Sequence, residues 1–351
     1  PLESLIYANA LNLKKKIKPY LLLGNGKPRN QALFQKFLKY INVIYDKDLI
    51  NKFKSLEEVL TLPLGLCLPL HNSCPYLDIA SNITQNENQL LEKPLNLFSL
   101  NEEDESKGKK ILENIGVTKD SWFVTLHVRE PGFRGESLKN TDFWRNSNIN
   151  NYINTIKYIT NSGGWVFRMG DKSMSKLPEM KNVIDYAHHE IKSEFMDVYL
   201  GAKCKFCIGS PSGYYHIPMI FSKPILFTNS PQFIEYFGLR NNDMYLPKKL
   251  YYSDSKKIIS ISEFSNSPIS ILTSNNNFNN SNIFVQENSS DEIKEATIEM
   301  LKSLNSKNED LTKKQIVFKD KVIKNSSLYG KNIVPKAKIS SYFIEKNTDF
   351  I

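Results

Sequence analysis

Three short polar segments carry the side chains whose types and spacing suggest chemistry. They read His127-Val128-Arg129-Glu130, Arg168-Met169-Gly170-Asp171 and Gly209-Ser210-Pro211-Ser212-Gly213. An arginine presents a planar fork of N–H groups that matches a phosphate, and a serine- and glycine-rich turn before a helix offers hydroxyls and backbone N–H groups to an anion. These residue types are typical of a diphosphate site, in which Asp171 could accept hydrogen bonds from a ribose or a base edge.

Each segment taken alone also has a structural explanation. Ser212 fits the N-cap of a helix, and Asp171 fits a turn. All three segments nevertheless follow predicted strands, and ligands of open α/β sheets bind beyond the carboxyl ends of the strands. We therefore expect the three segments to lie around one crevice.

The sequence lacks the two commonest nucleotide-binding signatures. Gly24-Asn25-Gly26 is followed by Arg29 where a dinucleotide fingerprint requires its third glycine, and no Gly-Lys-Ser/Thr loop occurs. These absences argue against NAD-dependent enzymes and P-loop kinases. Asp185 and His188-His189-Glu190 are close in sequence, but adjacent side chains diverge on a helix, which favours a solvated helix start over a metal site.

Alternating strand and helix patterns would position these segments. In the first part of the chain, Pro19–Leu23 and Ile41–Tyr45 are predicted strands, and Pro28–Tyr40 between them has the apolar spacing of a helix. A strand, a helix and a strand in this order form a βαβ unit, which requires a parallel sheet covered by helices.

The pattern restarts at Ser121. The apolar runs Trp122–Val128 and Trp165–Met169 are predicted strands, and Asn148–Thr160 between them places isoleucines on one helical face. Other predicted elements are a helix capped by Ser193, strands at Phe206–Ile208 and Pro224–Thr228, and a late helix that begins with a capping box of Ser289 and Glu292.

Length and composition set the domain organisation. A chain of 351 residues exceeds the usual size of one hydrophobic core, and its 40% hydrophobic and 24% charged residues are typical of a folded protein. We expect two α/β domains over residues 1–110 and 111–305, with the polar tract Asn82–Lys110 as their connection. A basic C-terminal segment over residues 306–351 is expected to pack back toward the N-terminal domain.

Several classes of protein do not fit the sequence. No apolar stretch approaches the roughly 18 residues of a membrane-spanning helix. No secretory signal follows Pro1, and four cysteines are too few for a disulfide scaffold, so we expect a cytoplasmic protein. Cys204 and Cys207 form a CxxC, but the strand pattern there would turn them to opposite faces, which disfavours a metal or redox role.

The motifs together resemble a family of bacterial glycosyltransferases associated with surface polysaccharide synthesis. That family is distantly similar to the fucosyltransferase-like GT-B enzymes, which share a His-x-Arg strand end and a Gly-Ser-x-Ser turn. The resemblance extends from Asn30-Gln31 to Phe343–Asn347. It is carried mainly by Val124–Glu130, Arg145-Asn146-Ser147, Gly163–Asp171, Val183–Ala187 and Cys207–Gly213.

The resemblance implies a GT-B-like α/β fold, in which two Rossmann-like doubly wound domains face a central cleft. The first domain would hold the acceptor, and the family pattern places a first strand and glycine-containing loop of this domain before Pro1. The second would hold a nucleotide-sugar donor, with Arg145 and Asn146 in contact with the acceptor or in support. The implied donor-binding residues are Arg129, Arg168, Asp171, Ser210, Ser212 and Gly213.

The function implied is transfer of a sugar from a nucleotide sugar to a glycan or a lipid-linked acceptor. We expect inversion, no metal or other cofactor, and a GDP-linked donor in preference to others. Such a displacement needs one base for the acceptor hydroxyl and a cation that stabilises the leaving group. Glu130 is the first candidate base because it adjoins Arg129, followed by Glu136 and His127. His127 fits a packed strand residue at least as well.

Two other functions fit the same residues. A non-catalytic protein that binds nucleotide sugars or glycans would keep Arg129 and Ser212 but show no turnover. An epimerase or another enzyme of nucleotide sugars would also be built from α/β domains, since a fold of this class serves many reactions.

The C-terminal part of the chain carries most of the excess positive charge. The whole chain has a formal net charge of +9, and the stretch Lys307–Lys338 contains nine lysines and three acids. No aromatic residues suited to base stacking are interleaved with the lysines, which argues against nucleic acid as a partner. Three interpretations stay open: a solvated face, contact with a phosphate-bearing substrate, and reversible, peripheral association with anionic lipid at the inner face of the cytoplasmic membrane.

Overall fold

The computed structural model describes residues 20–22, 28, 30–38, 42–49, 51, 61–62, 65–66, 98–134, 143–231, 235–236, 238–265, 280–306, 310–325 and 335–351. The chain divides into two compact units, Pro1–Phe98 and Ser99–Ile351.

The first unit contains the predicted βαβ arrangement. β1 (Tyr20–Leu22) and β2 (Asn42–Ile44) are parallel neighbours, and α1 (Gln31–Phe37) lies between them in the chain. Asn30 begins this helix, because its side chain accepts a hydrogen bond of 2.7 Å from a backbone N–H of the first turn. Two further short strands pair antiparallel: β3 (Thr61–Leu62) and β4 (Gly65–Leu66).

The second unit is built on a seven-stranded parallel sheet. When the seven strands of this sheet alone are counted from 1 to 7 along the chain, their order across the sheet is 3-2-1-4-5-6-7. The first six follow the order of a Rossmann-like sheet. Across the sheet the strands are β7 (Val183–Ile184), β6 (Trp165–Arg168), β5 (Phe123–His127), β8 (Phe206–Gly209), β9 (Ile225–Ser230), β10 (Met244–Pro247) and β13 (Lys338–Ile339).

Helices and one hairpin accompany this sheet. Strands β5, β8, β9 and β10 are buried at every position, as expected when both faces of a parallel sheet are covered. The helices are α2 (Glu102–Asn114), α3 (Ile153–Asn161), α4 (Glu194–Lys203), α5 (His216–Ile220), α6 (Ile261–Ser265), α7 (Ser290–Asn305), α8 (Lys313–Asn325) and α9 (Ser341–Lys346). The hairpin pairs β11 (Lys249–Tyr252) with β12 (Ile283–Gln286).

Two predicted helix starts are confirmed. The Ser193 hydroxyl accepts a hydrogen bond of 3.2 Å from the Met196 N–H at the start of α4. At the start of α7 the capping box is complete, because Ser289 Oγ accepts from the Glu292 N–H at 3.2 Å and Glu292 Oε2 accepts from the Ser289 N–H at 2.8 Å. Local sequence is sufficient to define both positions.

Part of the tract predicted to connect the domains is helical. Asn101 caps α2 by accepting a hydrogen bond of 2.7 Å from the Asp104 N–H, and four acidic residues occupy the first turn. Acidic side chains at a helix N-terminus are favoured by the helix dipole, so the polar composition that indicated a connection is also a helix-start signal. The division of the chain after Phe98 places α2 in the second unit.

The described C-terminal residues belong to the second unit. β13 pairs with β10, and Gln315 Nε2 in α8 donates a hydrogen bond of 2.6 Å to the Ile339 carbonyl. Glu299 accepts hydrogen bonds of 3.0 and 2.9 Å from the Ser341 N–H. That the segment also packs toward the N-terminal domain stays a prediction. In the parts of the chain that the structure describes, no helix has the length and apolar character needed to cross a membrane.

Candidate functional site

The strand order creates a topological switch point between β5 and β8. From β5 the chain proceeds to β6 and β7 on one side, and from β8 it proceeds to β9 and β10 on the other. The loops after two such strands diverge, which leaves a crevice at the carboxyl edge of the sheet. The residues after these two strands are Val128–Glu130 and Ser210–Gly213, which belong to two of the three segments predicted to converge.

Hydrogen bonds join these two segments directly. The Ser210 N–H donates to the His127 carbonyl at 3.1 Å, and the Arg129 N–H donates to Ser210 Oγ at 2.8 Å. Ser212 Oγ lies 3.1 Å from His127 Nδ1. Both serines are buried, so their hydroxyls hold the two loops together instead of facing solvent. Gly213, in contrast, is exposed at the end of the turn.

Two arginines bring positive charge to this edge of the sheet. Arg145 Nε donates a hydrogen bond of 3.2 Å to the Pro211 carbonyl, and its guanidinium lies 5.6 Å from the centre of the Trp144 ring. The Arg129 carbonyl accepts from the Ser147 N–H at 2.9 Å, which ties the loop after β5 to the Arg145 region. Arg145, predicted to contact the acceptor or to support the site, therefore lies at the turn predicted to bind the donor.

Arg168 has a different setting from the one predicted. Its side chain is fully buried, with Nη2 donating to Glu130 Oε1 at 2.7 Å and Nη1 donating to Asp185 Oδ1 at 3.0 Å. A buried guanidinium needs such partners because an unpaired charge inside a protein is very unfavourable. Arg168 is therefore enclosed by protein, and the prediction that it binds a donor is not supported by its position.

Glu130 belongs to an ionic cluster with Arg168 and Asp185. Its second oxygen, Oε2, accepts hydrogen bonds of 2.8 Å from both the N–H and the hydroxyl of Ser175. The second oxygen of Asp185 accepts from the Leu177 N–H at 3.0 Å. A proton taken up by Glu130 would disrupt its pairing with Arg168, so these contacts argue against Glu130 as the base. Glu136, the second candidate, lies outside the described residues.

His127 is a packed histidine. Its ring stacks on Tyr214, with ring centres 5.5 Å apart and planes 15° from parallel. Burial, assisted by the charge of Arg168, lowers the pKa of His127 to about 4. The imidazole is therefore neutral near pH 7 and only weakly basic, which favours a role in positioning Ser212 over a role as proton acceptor.

Glu235 is a carboxylate at the same sheet edge that no sequence motif singled out. It lies shortly after β9, is partly buried, and its Oε2 accepts a hydrogen bond of 2.6 Å from Ser230 Oγ. Burial raises the pKa of Glu235 to about 7, although the Ser230 hydrogen bond and the charge of Arg145 act in the opposite direction. The sequence signal that could have identified Glu235 is its position shortly after the predicted strand Pro224–Thr228.

Lys248 is a second charged residue missed from the sequence. It directly follows β10 and is buried, with Nζ donating a hydrogen bond of 2.6 Å to the Asn146 carbonyl. Burial lowers the pKa of Lys248 to about 8. Asn146, predicted as a support residue, thus anchors a buried ammonium group through its backbone.

The remaining candidates have local structural roles. Asp171 is partly buried and accepts a hydrogen bond of 2.8 Å from the Ser173 N–H, as a turn residue does. Its placement near a nucleoside stays a prediction. Cys204 and Cys207 are fully buried, and burial raises the pKa of both thiols, that of Cys204 to about 11. Neither thiol is therefore poised to ionise near pH 7.

The prediction of a metal-free site took Asp-x-Asp pairs to be absent from the sequence, and that premise is wrong. Asp46-Lys47-Asp48 is an Asp-x-Asp sequence in the first unit. Asp46 Oδ1 accepts hydrogen bonds of 2.9 and 3.0 Å from the N–H groups of Asp48 and Leu49, which is the geometry of a helix start. Among the residues that the structure describes, no group of three or more His, Cys, Asp or Glu side chains could hold a metal ion.

Comparison with known proteins does not assign the chain to a family. No protein family, curated protein or solved structure matches it. The resemblance to polysaccharide glycosyltransferases therefore stays a prediction, and the geometry of the switch point carries the functional argument.

Proposed function

We propose that the chain is a GT-B glycosyltransferase whose second unit binds a nucleotide-sugar donor at the switch point between β5 and β8. The proposal depends above all on the hydrogen-bonded junction between the His127-Val128-Arg129 strand end and the Gly209–Gly213 turn. Nucleotides bind Rossmann-like sheets at this position. The sequence resemblance supports the same conclusion through the same two segments.

In this proposal the diphosphate lies over the turn, between Arg129 and Arg145. Guanidinium groups pair well with phosphate oxygens, and their contribution increases as negative charge develops on the leaving diphosphate. The exposed backbone at Gly213 allows a close approach. The following helix α5 has only five residues, so we assign the attraction for the anion to the arginines and the turn, with little from a helix dipole.

Glu235 is the described residue best suited to act as the base. Its carboxylate would take the proton of the acceptor hydroxyl while the hydroxyl oxygen forms a bond to the anomeric carbon of the sugar. The bond from that carbon to the diphosphate breaks in the same step, and the nucleoside diphosphate leaves with the electron pair. A carboxyl group with a pKa of about 7 has the basicity that such a step favours at neutral pH.

A screen of GDP-, UDP- and CMP-sugars tests the proposal. We expect one nucleotide class to raise the melting temperature, because a ligand bound only by the folded state stabilises it. We also expect a GDP- or UDP-sugar to release its nucleoside diphosphate, both with and without EDTA, whereas a CMP-sugar carries one phosphate and does not match a diphosphate site. Arg145→Ala should abolish the stabilisation, whereas Lys157→Ala, which removes an exposed positive charge from α3, should not. Stabilisation without turnover would favour a non-catalytic binding protein, and no stabilisation by any nucleotide would contradict the proposal.

A further inference from the structure

The outer face of α8 is a surface that the proposed function does not use. Five large hydrophobic side chains are well exposed among the described residues, and two of them, Ile316 and Val317, are neighbours on this helix, 46% and 45% exposed. Of the other three, Tyr45 and Leu49 lie four residues apart in the first unit, and Phe284 lies in β12. Adjacent helix positions point about 100° apart, but both side chains lie on the half of α8 that faces away from its buried residues, so the two exposed areas adjoin.

Contacts on the opposite face of α8 keep Ile316 and Val317 pointing outward. Phe318 and Val322 are fully buried, and the Gln315 side chain is held by its hydrogen bond of 2.6 Å to the Ile339 carbonyl. Lys319 Nζ donates to the Lys336 carbonyl at 2.9 Å, and Lys321 Nζ donates to the Ile351 carbonyl. The helix is therefore anchored along one side, so Ile316 and Val317 cannot turn inward without loss of this packing.

Two exposed lysines begin the same helix. Thr312 and Gln315 form a reciprocal cap, with hydrogen bonds of 2.9 and 3.3 Å between side chain and backbone, so Lys313 and Lys314 occupy the first turn. Cations at a helix N-terminus oppose the helix dipole, and this first turn has no acidic residue. Neither lysine forms an ion pair or hydrogen bond with the residues that the structure describes. The stability of the helix therefore does not explain their presence.

We propose that the α8 face, defined as Lys313, Lys314, Ile316 and Val317, docks on an anionic lipid surface. Lysine ammonium groups remain at the level of the headgroups, whereas aliphatic side chains enter the boundary of the acyl chains, so one membrane interface accommodates both parts of the face. Lys313 and Lys314 outnumber Asp320, the acidic residue of α8, which is also exposed, so the face has a net positive charge, opposite to that of such a surface. The exposed apolar groups are aliphatic, which favours lipid over the base stacking of a nucleic acid.

Co-sedimentation of the full chain with lipid vesicles tests this proposal independently of donor binding. The vesicles are phosphatidylcholine alone or phosphatidylcholine mixed with phosphatidylglycerol, at low and high salt. We expect binding to the anionic vesicles at low salt that weakens at high salt, because charge attraction is screened within about 8 Å at physiological ionic strength. We expect weak binding or none to the neutral vesicles.

Paired variants separate the two parts of the face. Lys313→Glu with Lys314→Glu should weaken binding to anionic vesicles at least tenfold, since each lysine near such a surface contributes roughly fivefold. Ile316→Ser with Val317→Ser should weaken it severalfold without changing its salt dependence. The matched controls, Lys157→Glu with Lys181→Glu and the single change Phe284→Ser, alter exposed side chains elsewhere and should bind as the wild type does. All changes are at the surface, and equal melting temperatures check folding.

Three results would overturn the proposal. The first is no binding to either vesicle, or equal binding to both. The second is equal loss of binding in the α8 variants and in their controls. The third is concentration-dependent self-association or salt-sensitive RNA binding that the α8 variants abolish while lipid binding is unaffected, which would identify a second copy of the chain or a nucleic acid as the occupant.

Discussion

Replacement of Gly213 by valine should separate ligand binding from folding. A Cβ atom at Gly213 would meet no heavy atom within 4 Å, and its φ lies outside the left-handed region. A β-carbon at this position therefore neither clashes with its surroundings nor strains the backbone. A glycine replaced without strain typically gains about 0.4–1 kcal/mol, because the unfolded chain loses freedom. We expect the melting temperature of Gly213→Val to equal or slightly exceed that of the wild type.

Donor binding should respond in the opposite direction. A phosphate oxygen that accepts a hydrogen bond from the turn must come within about 3 Å of a backbone nitrogen. The methyl groups of valine would occupy the open space beside that nitrogen. We expect affinity for the nucleoside diphosphate to fall at least tenfold, which corresponds to about 1.4 kcal/mol. Isothermal titration calorimetry with the nucleotide identified by the melting screen measures this change.

Gly163→Ala is the matched control. Its Cβ would also lie in open space, but its φ is +82°, where an L side chain is strained by roughly 1–2 kcal/mol. The residue precedes β6, at the edge of the sheet opposite the switch point. We expect a lower melting temperature and unchanged affinity, the reverse of Gly213→Val. Wild-type affinity in a folded Gly213→Val variant would refute the placement of the diphosphate on the turn.

Two further predictions concern ionisable groups. Arg168→Met should lower the free energy of unfolding, measured in urea, by about 3 kcal/mol, because it leaves Glu130 and Asp185 without their cation. A decrease no larger than that of Lys157→Met would show that the ionic cluster does not stabilise the fold. Glu235→Gln should lower turnover and remove a rise in rate as pH passes about 7; a mutant with the wild-type rate and pH profile would exclude Glu235 as the base. Folding raises the pKa of Glu235 from 4.5 to about 7, so between these pH values the native state holds a proton that the unfolded chain has lost. The stability of the wild type relative to Glu235→Gln should therefore fall as the pH rises from about 4.5 to about 7.

The main strands of the second unit were predictable because they are buried on both faces. Continuous apolar runs such as Trp122–Val128 and Pro224–Thr228 indicate such strands without knowledge of their partners. β10 and β13 were missed for a physical reason. Met244–Pro247 ends in a proline and Lys338–Ile339 has only two residues, so both depend on pairing with residues far along the chain.

The sequence predicted which strand ends form the candidate site, but it did not predict the direction in which their polar side chains point. Strand order brings the loops after β5 and β8 together, as the spacing of the motifs indicates. Whether a polar side chain points into the crevice or into the protein depends on its partners, which lie far away in sequence. Ser210 and Ser212 therefore position the loops, and Arg168 pairs with Glu130, although all four were predicted to act on substrates.

The pairing of β13 with β10 also has a consequence for synthesis on the ribosome. Ninety residues separate Pro247 from Lys338, so translation leaves the edge of β10 without its neighbour while this stretch is made. An open strand edge presents unpaired N–H and C=O groups that can recruit strands of other chains. Premature termination within this stretch would make that exposure permanent, and we expect such truncated products to aggregate or to require chaperones even though the residues of the switch point are all present.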